Sequence, residues 1–296
     1  MHVATLLCDP ALPRLEPAVI EPLRSAWSGG PLRWLADGIA AEFDLDTIPD
    51  DRWQVWQELQ SKGVDMLIVP AAGRRKRLLL ADMDSTMIGQ ECIDELAAVA
   101  GFGAEVAAIT ARAMNGELEF ESALRERVGL LTGLDAGVID RVLAERISFT
   151  PGGVELIATM RAAGARTVLV SGGFTAFTGA VARHLGFDEH RANRLLVEGG
   201  RLTGKVAEPI LGRQAKLETL RDLSAQMGIG PAAVLAVGDG ANDLAMLQSA
   251  GAGVALHAKP AVAAQCDLRV NHGDLTALLY LQGFRQSEFA RPAAAH

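Results

Sequence analysis

Four polar clusters near the ends of apolar runs hold the residue types through which this chain could do chemistry. LLLADMDST ends in Asp82 and Asp84, TVLVSGG in Ser171, and VLAVGDGAND in Asp239 and Asp243, with Lys216 in GRQAKLE between the last two. Short apolar runs closed by glycine and acids predict strands, and side chains just past the carboxyl ends of parallel strands converge on one edge of an open sheet. Two carboxylates, a hydroxyl beside glycines, an ammonium and two further carboxylates would then share one crevice. That set suits phosphoryl transfer with a hard divalent cation.

Each cluster also has a plainer reading. Asp82 and Asp84 are two positions apart, so extended backbone turns both to the same side. One carboxylate of such a pair can stay ionised as nucleophile or metal ligand while the other holds a proton and acts as acid, then base. Attack of a carboxylate on phosphorus gives an aspartyl phosphate and splits a hard displacement in two. Alone, the pair reads equally well as a turn cap. Ser171 with Gly172 and Gly173 offers a hydroxyl and unobstructed N–H groups as an oxyanion cradle, or an ordinary glycine turn. Lys216 alone reads as a solvated lysine on an amphipathic helix. Asp239 and Asp243 offer oxygen ligands across a tight turn at Gly238 and Gly240, and no following glutamate completes a calcium loop. Incidental turns do not account for four such clusters in order.

The elements that must position these residues follow from periodicity. LLLA, RTVLV, AAVLAV and AGVAL read as strands, and GGVELIATMRAAG and GRQAKLETLRDLSAQMG as helices, which implies a parallel sheet with right-handed crossovers. The interval from Asp82 to Arg166 is far longer than a crossover needs. ECIDELAAVA, AEVAAITARAM, EFESALRERVGLL and AGVIDRVLAERI inside it carry apolar residues at helical steps. The expected architecture is therefore α/β: a Rossmann-like core of residues 78–87 and 150–285, with a helical cap inserted at 88–149 and a return turn from Thr150 to Gly153. All four tryptophans, Trp27, Trp34, Trp53 and Trp56, fall before this core and mark residues 1–73 as a separate small α+β unit. Its expected elements are a strand at HVATLLC, helices at EPAVIEPLRSAW and DRWQVWQELQSKG, and a strand at VDMLIVP. Arg74 to Arg77 read as a solvated linker and residues 286–296 as a tail.

Composition excludes several classes. With 296 residues, 49% hydrophobic and 22% charged, the chain has the makings of a substantial core and not of a disordered protein. A net charge of -8 argues against wrapping nucleic acid, so positive charge for an anionic ligand must be local. Three scattered cysteines, Cys8, Cys92 and Cys266, fit neither a disulfide framework nor a thiolate zinc site, and a reducing cytoplasm is expected. MHVATLLCDP does not read as a leader, and no apolar run approaches the roughly 20 residues that span a bilayer, so no membrane partner is expected.

The order DMDST, SGG, Lys216, GDGAND resembles the haloacid dehalogenase superfamily of phosphotransferases. ECIDELA (from Glu91), MNGELEFESALRERVGLL (from Met114), FTPGG (from Phe149) and ANRL (from Ala192) are similar to its branch that dephosphorylates phosphoserine. The resemblance covers residues 78–285 and is specific, because it includes cap residues. It implies Asp82 as nucleophile and Asp84 as general acid and base. It also implies magnesium held by the Asp82 carboxylate, the Asp84 carbonyl and Asp239, with Asp243 supporting. Ser171, Gly172 and Lys216 would hold the phosphoryl oxygens and Asn242 would orient the substrate. Glu91 would receive the substrate ammonium and Arg127 its carboxylate, with Met114 and Phe120 lining the pocket. Such a ligand does need an anion, a bidentate cation and a cationic cluster. Without the resemblance, Glu91 reads as an early-helix acid and Arg127 as a partner of Glu121 or Glu126.

The implied activity is magnesium-dependent hydrolysis of O-phospho-L-serine to L-serine and phosphate through an aspartyl phosphate, the last step of serine biosynthesis. The rivals are action on another small phosphate ester, transfer to an acceptor alcohol, a phospho-receiver switch, and an amino-acid sensor built on residues 1–73. Related phosphatases carry an ACT-like regulatory domain in that place. A homodimer surface is the first expectation for it, ahead of a degenerate sensor or a packing extension.

Overall fold

The structure is a computed structural model that describes residues 1–114, 117–212 and 214–290, the Met114 side chain excepted. The expectation that Met114 lines a pocket therefore lies outside the described residues.

Alternation in HVATLLC places Ala4, Leu6 and Cys8 on one face of β1 (His2–Cys8) and Leu7 on the other. The chain continues through α1 (Pro17–Ala26), β2 (Arg33–Ala36), β3 (Ala40–Leu45), α2 (Arg52–Gln60) and β4 (Val64–Pro70). The four strands form an antiparallel sheet in the order β2-β3-β1-β4. This βαββαβ arrangement is ferredoxin-like. Sequence reading missed β2 and β3. β2 has only four residues, and in β3 the acidic Glu42 and Asp44 interrupt the apolar signal. Glu42 is nonetheless buried, because Arg33 and Arg74 both pair with it.

One face of this sheet packs on Ile20 and Leu59 of the two helices. Leu7, Ala40, Leu67 and Val69 on the other face join Leu275 and Leu278 in the main core. A Cβ added at Gly273 would stand 2.5 Å from the Leu7 Cδ1, so a larger residue there would have to displace that side chain. Buried Asp65 of β4 accepts from the backbone N–H groups of Asn271, His272 and Gly273 at 3.0, 2.9 and 2.8 Å. The expected solvated linker is a clasp instead. Arg74 donates to Glu42 at 2.7 Å and to the carbonyls of Tyr280 and Leu281, and Arg75 stacks on Phe284. Carbonyls and a carboxylate that would otherwise be buried unpaired account for the ordering of this basic run.

The larger, six-stranded sheet begins with β5 (Leu78–Ala81). Four cap helices follow: α3 (Cys92–Ala100), α4 (Gly103–Met114), α5 (Phe120–Gly129) and α6 (Val138–Glu145). The chain returns through α7 (Gly153–Ala162), β6 (Arg166–Phe174), α8 (Thr175–Leu185) and β7 (Glu189–Asn193), then a hairpin of β8 (Leu195–Glu198) and β9 (Arg201–Val206). It ends with α9 (Ala215–Met227), β10 (Val234–Gly238), α10 (Leu244–Ser249), β11 (Ala252–Leu256), α11 (Pro260–Ala263), β12 (Leu268–Val270) and α12 (Ala277–Leu281).

The six strands are parallel, in the order β12-β11-β10-β5-β6-β7. Leu78, Leu80, Val168 and Val170 face α9 and α10, while Leu79, Ala81 and Leu169 face α7, α8 and α12. Burial on both faces explains the unbroken apolar runs. The chain winds from β5 to β7 on one side and resumes at β10 on the other, so β5 marks the reversal where such sheets bind ligands.

The hairpin is tied to the cap. Gly133 N donates to Leu202 O, Leu202 N to Leu134 O and Ala136 N to Gly200 O, each at 2.8 Å. No helix among the described residues is long and apolar enough to cross a membrane.

Candidate active site

β10, β5 and β6 are neighbours, so their carboxyl ends bring Asp239, Asp82 and Ser171 to one edge. Met83 turns into the core, which leaves Asp82 and Asp84 to face the site. Lys216, the second residue of α9, is buried with its Nζ 2.7 Å from Asp82 Oδ1, and it also donates to Asp243 Oδ1. Carboxylate oxygens of Asp82, Asp239 and Asp243 lie within 4.8 Å of one another. Thr86, fully buried, donates to Asp239 Oδ1 at 3.3 Å.

Asp84 takes a different position. Its Oδ1 accepts from Cys92 N at 2.9 Å, the first residue of α3, and its Oδ2 from Ser171 Oγ at 3.0 Å. A helix terminus and a hydroxyl thus hold the carboxyl that is expected to shuttle the proton. Ser171 Oγ in turn accepts from Gly173 N at 2.8 Å.

The glycines serve clearance here. Of the two sequence readings of SGG, a cradle or an ordinary glycine turn, the turn does not hold, because these residues lie in β6, where the pairing with β7 shifts register between Val170 and Phe174. A Cβ at Gly173 would stand 3.0 Å from both Asp84 Oδ2 and Ser171 Oγ, and one at Gly238 would stand 2.5 Å from Asp243 Cγ. Neither has a positive φ, so it is the approach of these side chains that excludes larger residues.

Electrostatics follow from burial. Burial first, then Asp243, pushes the Asp82 carboxyl well above its ordinary range, against the pull of Lys216. Burial also raises Asp84, opposed by its bonds from Cys92 and Ser171, and raises Asp239, with Asp243 adding to it. Burial disfavours the Lys216 ammonium, but Asp82 and Asp243 outweigh it and the pKa is raised. Crowded acids with only oxygen donors, and one ammonium to balance them, fit a hard divalent cation. Asp82 and Asp239 are the members with oxygens to offer it. Asp243 is engaged by Lys216 and, through Oδ2, by Gly240 N at 3.0 Å.

The cap completes the enclosure. Phe120 of α5 lines a small pocket with Ser171, Gly172, Lys216 and Asn242, so these expected residues are brought together. A Cβ at Gly172 would be 3.2 Å from the Phe120 ring. Glu91 and Arg127 occupy the cap side. Glu91 is the residue before α3 yet makes no side-chain capping bond, and accepts instead from Ser85 Oγ at 3.1 Å. Although it keeps exposed surface, surrounding protein desolvates its carboxylate and, with Asp84 and Asp239, pushes it up to about 7. Glu126 and Glu121 pair with Arg112 and Arg125, so Arg127 is not their partner. Arg127 donates to Ala123 O at 3.3 Å and to Thr110 Oγ1 at 3.5 Å, and no ion pair to it occurs among the described residues. Burial lowers its pKa, with Asp94 and Glu91 opposing.

Two polar residues had no assigned part in the sequence reading. Thr86 lies within DMDST itself, and its only signal is a hydroxyl two residues past Asp84. Asn193 ends a strand next to the site in ANRL, and its links to Gly172 and Leu211 are visible only in three dimensions.

Residues 79–248 match the family model of haloacid dehalogenase-like hydrolases. The chain belongs to that family. It is 44% identical over 253 residues to a phosphoserine phosphatase of Streptomyces coelicolor, a match covering 84% of this chain and 62% of the relative. The chain thus spans less than two thirds of that relative's length. Among solved structures, a haloacid dehalogenase family hydrolase from Salmonella enterica serovar Typhi superposes with a TM-score of 0.85 at 28% identity, over 95% of this chain and 97% of that one. A phospho-aspartyl intermediate analogue of a phosphoserine phosphatase superposes with a TM-score of 0.64 at 40% identity, over 70% and 98%.

Proposed function

We propose that this protein hydrolyses O-phospho-L-serine to L-serine and phosphate with magnesium and an aspartyl-phosphate intermediate, as the last step of L-serine biosynthesis. The observation that carries the reading is the pairing of a small pocket at Ser171, Gly172 and Lys216 with a cap that holds Glu91 and the cation of Arg127, which makes no ion pair among the described residues. A phosphorylated amino acid presents the complementary three charges. The similar phosphoserine phosphatase with an aspartyl-phosphate analogue supports the covalent route.

In the first half-reaction an oxygen of Asp82 bonds to phosphorus as the serine oxygen departs with the proton of Asp84. In the second, Asp84 takes a proton from water, whose oxygen bonds to phosphorus and releases phosphate from Asp82. The raised pKa of Asp84 supports its holding the proton at the outset. Lys216 favours ionised Asp82 and would receive phosphoryl oxygens, with Ser171 and Gly172 N–H as neutral donors. Magnesium, held by Asp82, the Asp84 carbonyl and Asp239 with Asp243 behind them, would neutralise phosphoryl charge. Asn242 would orient the substrate and Phe120 would exclude water from the pocket.

Three buried free cysteines support a reducing cytoplasm. Self-association through the amino-terminal unit is open to a sedimentation test, since β2 forms one edge of its sheet.

The deciding assay is magnesium-dependent phosphate release from O-phospho-L-serine, against O-phospho-L-threonine and a sugar phosphate. Preference for phosphoserine, lost in Asp82→Asn with the fold retained, is the expected result. Full activity in that variant, or a preferred sugar phosphate, overturns the reading.

A further inference from the structure

Asn193 closes β7, is 2% exposed, and spends its whole amide on the end of β6 and the loop before α9. Nδ2 donates to Gly172 O at 2.9 Å and to Leu211 O at 3.3 Å, while Oδ1 accepts from Leu211 N at 2.7 Å. The partners dictate this orientation, because a flipped amide would set its NH2 against the Leu211 N–H and its oxygen against two carbonyls. Gly172 belongs to the Ser171 to Gly173 cradle. Leu211 belongs to the loop that leads into α9, whose second residue is Lys216. Gly172, Leu211 and Lys216 all line the same small pocket.

We propose that Asn193 is a positioning residue that sets the separation between the Ser171 to Gly173 cradle and the Lys216 ammonium, and so the fit of the phosphoryl group. The proposal rests on the reading of that pocket as the phosphoryl site. One wall is the end of β6 and the other belongs to the connection from β7 to β10, and such groups must stand within about 0.5 Å of the productive geometry to act together. A misplacement of about 1 Å can cost about a hundredfold in rate. Asparagine suits the task because it supplies two donors and an acceptor on one short stem. Aspartate has the same shape, but would face two carbonyl oxygens with no hydrogen to give and would add a negative charge behind an anion site. Serine has a single donor, and glutamine is longer by one carbon.

The test compares N193A, N193D and N193S with the unaltered chain, all magnesium-loaded. Affinity for inorganic phosphate is measured by calorimetry, kcat and KM with phosphoserine and with an aryl phosphate, and melting temperature alongside. Phosphate affinity should fall about tenfold or more in N193A and N193D, the scale of one or two lost hydrogen bonds. It should fall less in N193S. kcat/KM should drop by similar factors for both esters, since the amino-acid end of the substrate is untouched. N193D should be no better than N193A despite its matching size. If N193A does not fold, N193D and N193S decide the matter. Unchanged phosphate affinity in the folded variants, with only the melting temperature lowered, overturns the proposal. Failure of the unaltered chain to hydrolyse phosphoserine would count against the substrate reading alone, because phosphate binding reports on the cradle independently.

Discussion

Lys216 Nζ lies 2.7 Å from Asp82 Oδ1 and also donates to Asp243, so one buried ammonium joins the proposed nucleophile to the acid behind it. Removing it strands carboxylates that water does not reach. Lys216→Ala should lower phosphate release by about a hundredfold or more and destabilise the fold by about 3–5 kcal/mol. Lys216→Arg should not restore activity, because a planar fork does not fill the place of a compact ammonium. Steady-state kinetics and chemical denaturation check both. A stable and active Lys216→Ala protein would show that the pair is incidental.

Metal binding should be linked to pH. Asp82, Asp84, Asp239 and Glu91 all have raised pKa values when folded, chiefly through burial, and Glu91 moves from 4.5 to about 7. Above their unfolded values the folded state therefore binds more protons than the unfolded state, and the metal-free protein loses stability as pH rises from about 4 through about 7. Magnesium binds the ionised carboxylates and reverses that loss. Its effect on melting temperature should accordingly be several degrees at pH 7.5 and clearly smaller at pH 5.5. Equal shifts at the two pH values would contradict this site as the metal's location.

Arg127 should matter for one end of the substrate only. Arg127→Ala is expected to raise KM for phosphoserine about tenfold to a hundredfold, the loss of a charged hydrogen bond, and to leave an aryl phosphate nearly unaffected. Glu91→Gln should act in the same selective sense. Parallel losses on both substrates would mean that these residues shape the cap and do not read the amino acid.

Asp65 gives a prediction away from the chemistry. Three backbone N–H groups of the 271–273 loop lose their acceptor in Asp65→Ala. A fall of about 3 kcal/mol in stability is expected, because each buried donor left unpaired costs about 1–3 kcal/mol and water recovers part of that. kcat at temperatures below melting should be unchanged. A large drop in kcat with unaltered stability would point to coupling between the amino-terminal sheet and the site.

Particular residues show what was legible in advance. The parallel sheet could be read because β5, β6 and β10 are buried on both faces and so appear as unbroken apolar runs. The cap helices could be read from three- and four-residue spacing, as in Ile93, Leu96 and Ala97. β2 and β3 could not, since Glu42 is buried only by virtue of Arg33 and Arg74, which are distant in sequence or on another strand. The same limit applies to Arg74. A run of four basic residues looks solvated until the carbonyls of α12 and its far end come into view. At the site, acids and glycines punctuated the sequence visibly, whereas Asn193 and Thr86 act through partners that no spacing reveals.

The pairing of the β8–β9 hairpin with residues 133–136 restricts how the cap can travel. A lid joined to its base by two strands of chain is a hinged door with one free swing. A third footing, off that axis, takes the swing away unless the hairpin moves as part of the door. The hairpin is rooted between Asn193 and Ala207, where Ala207 N donates to Arg194 O at 2.8 Å. Opening that preserves the three backbone bonds must therefore pull on the strip of chain that backs the pocket of Ser171, Gly172 and Lys216. On the proposed reading, admission of the amino-acid end and the grip on the phosphate end would be geared to one another, and product release would loosen both at once.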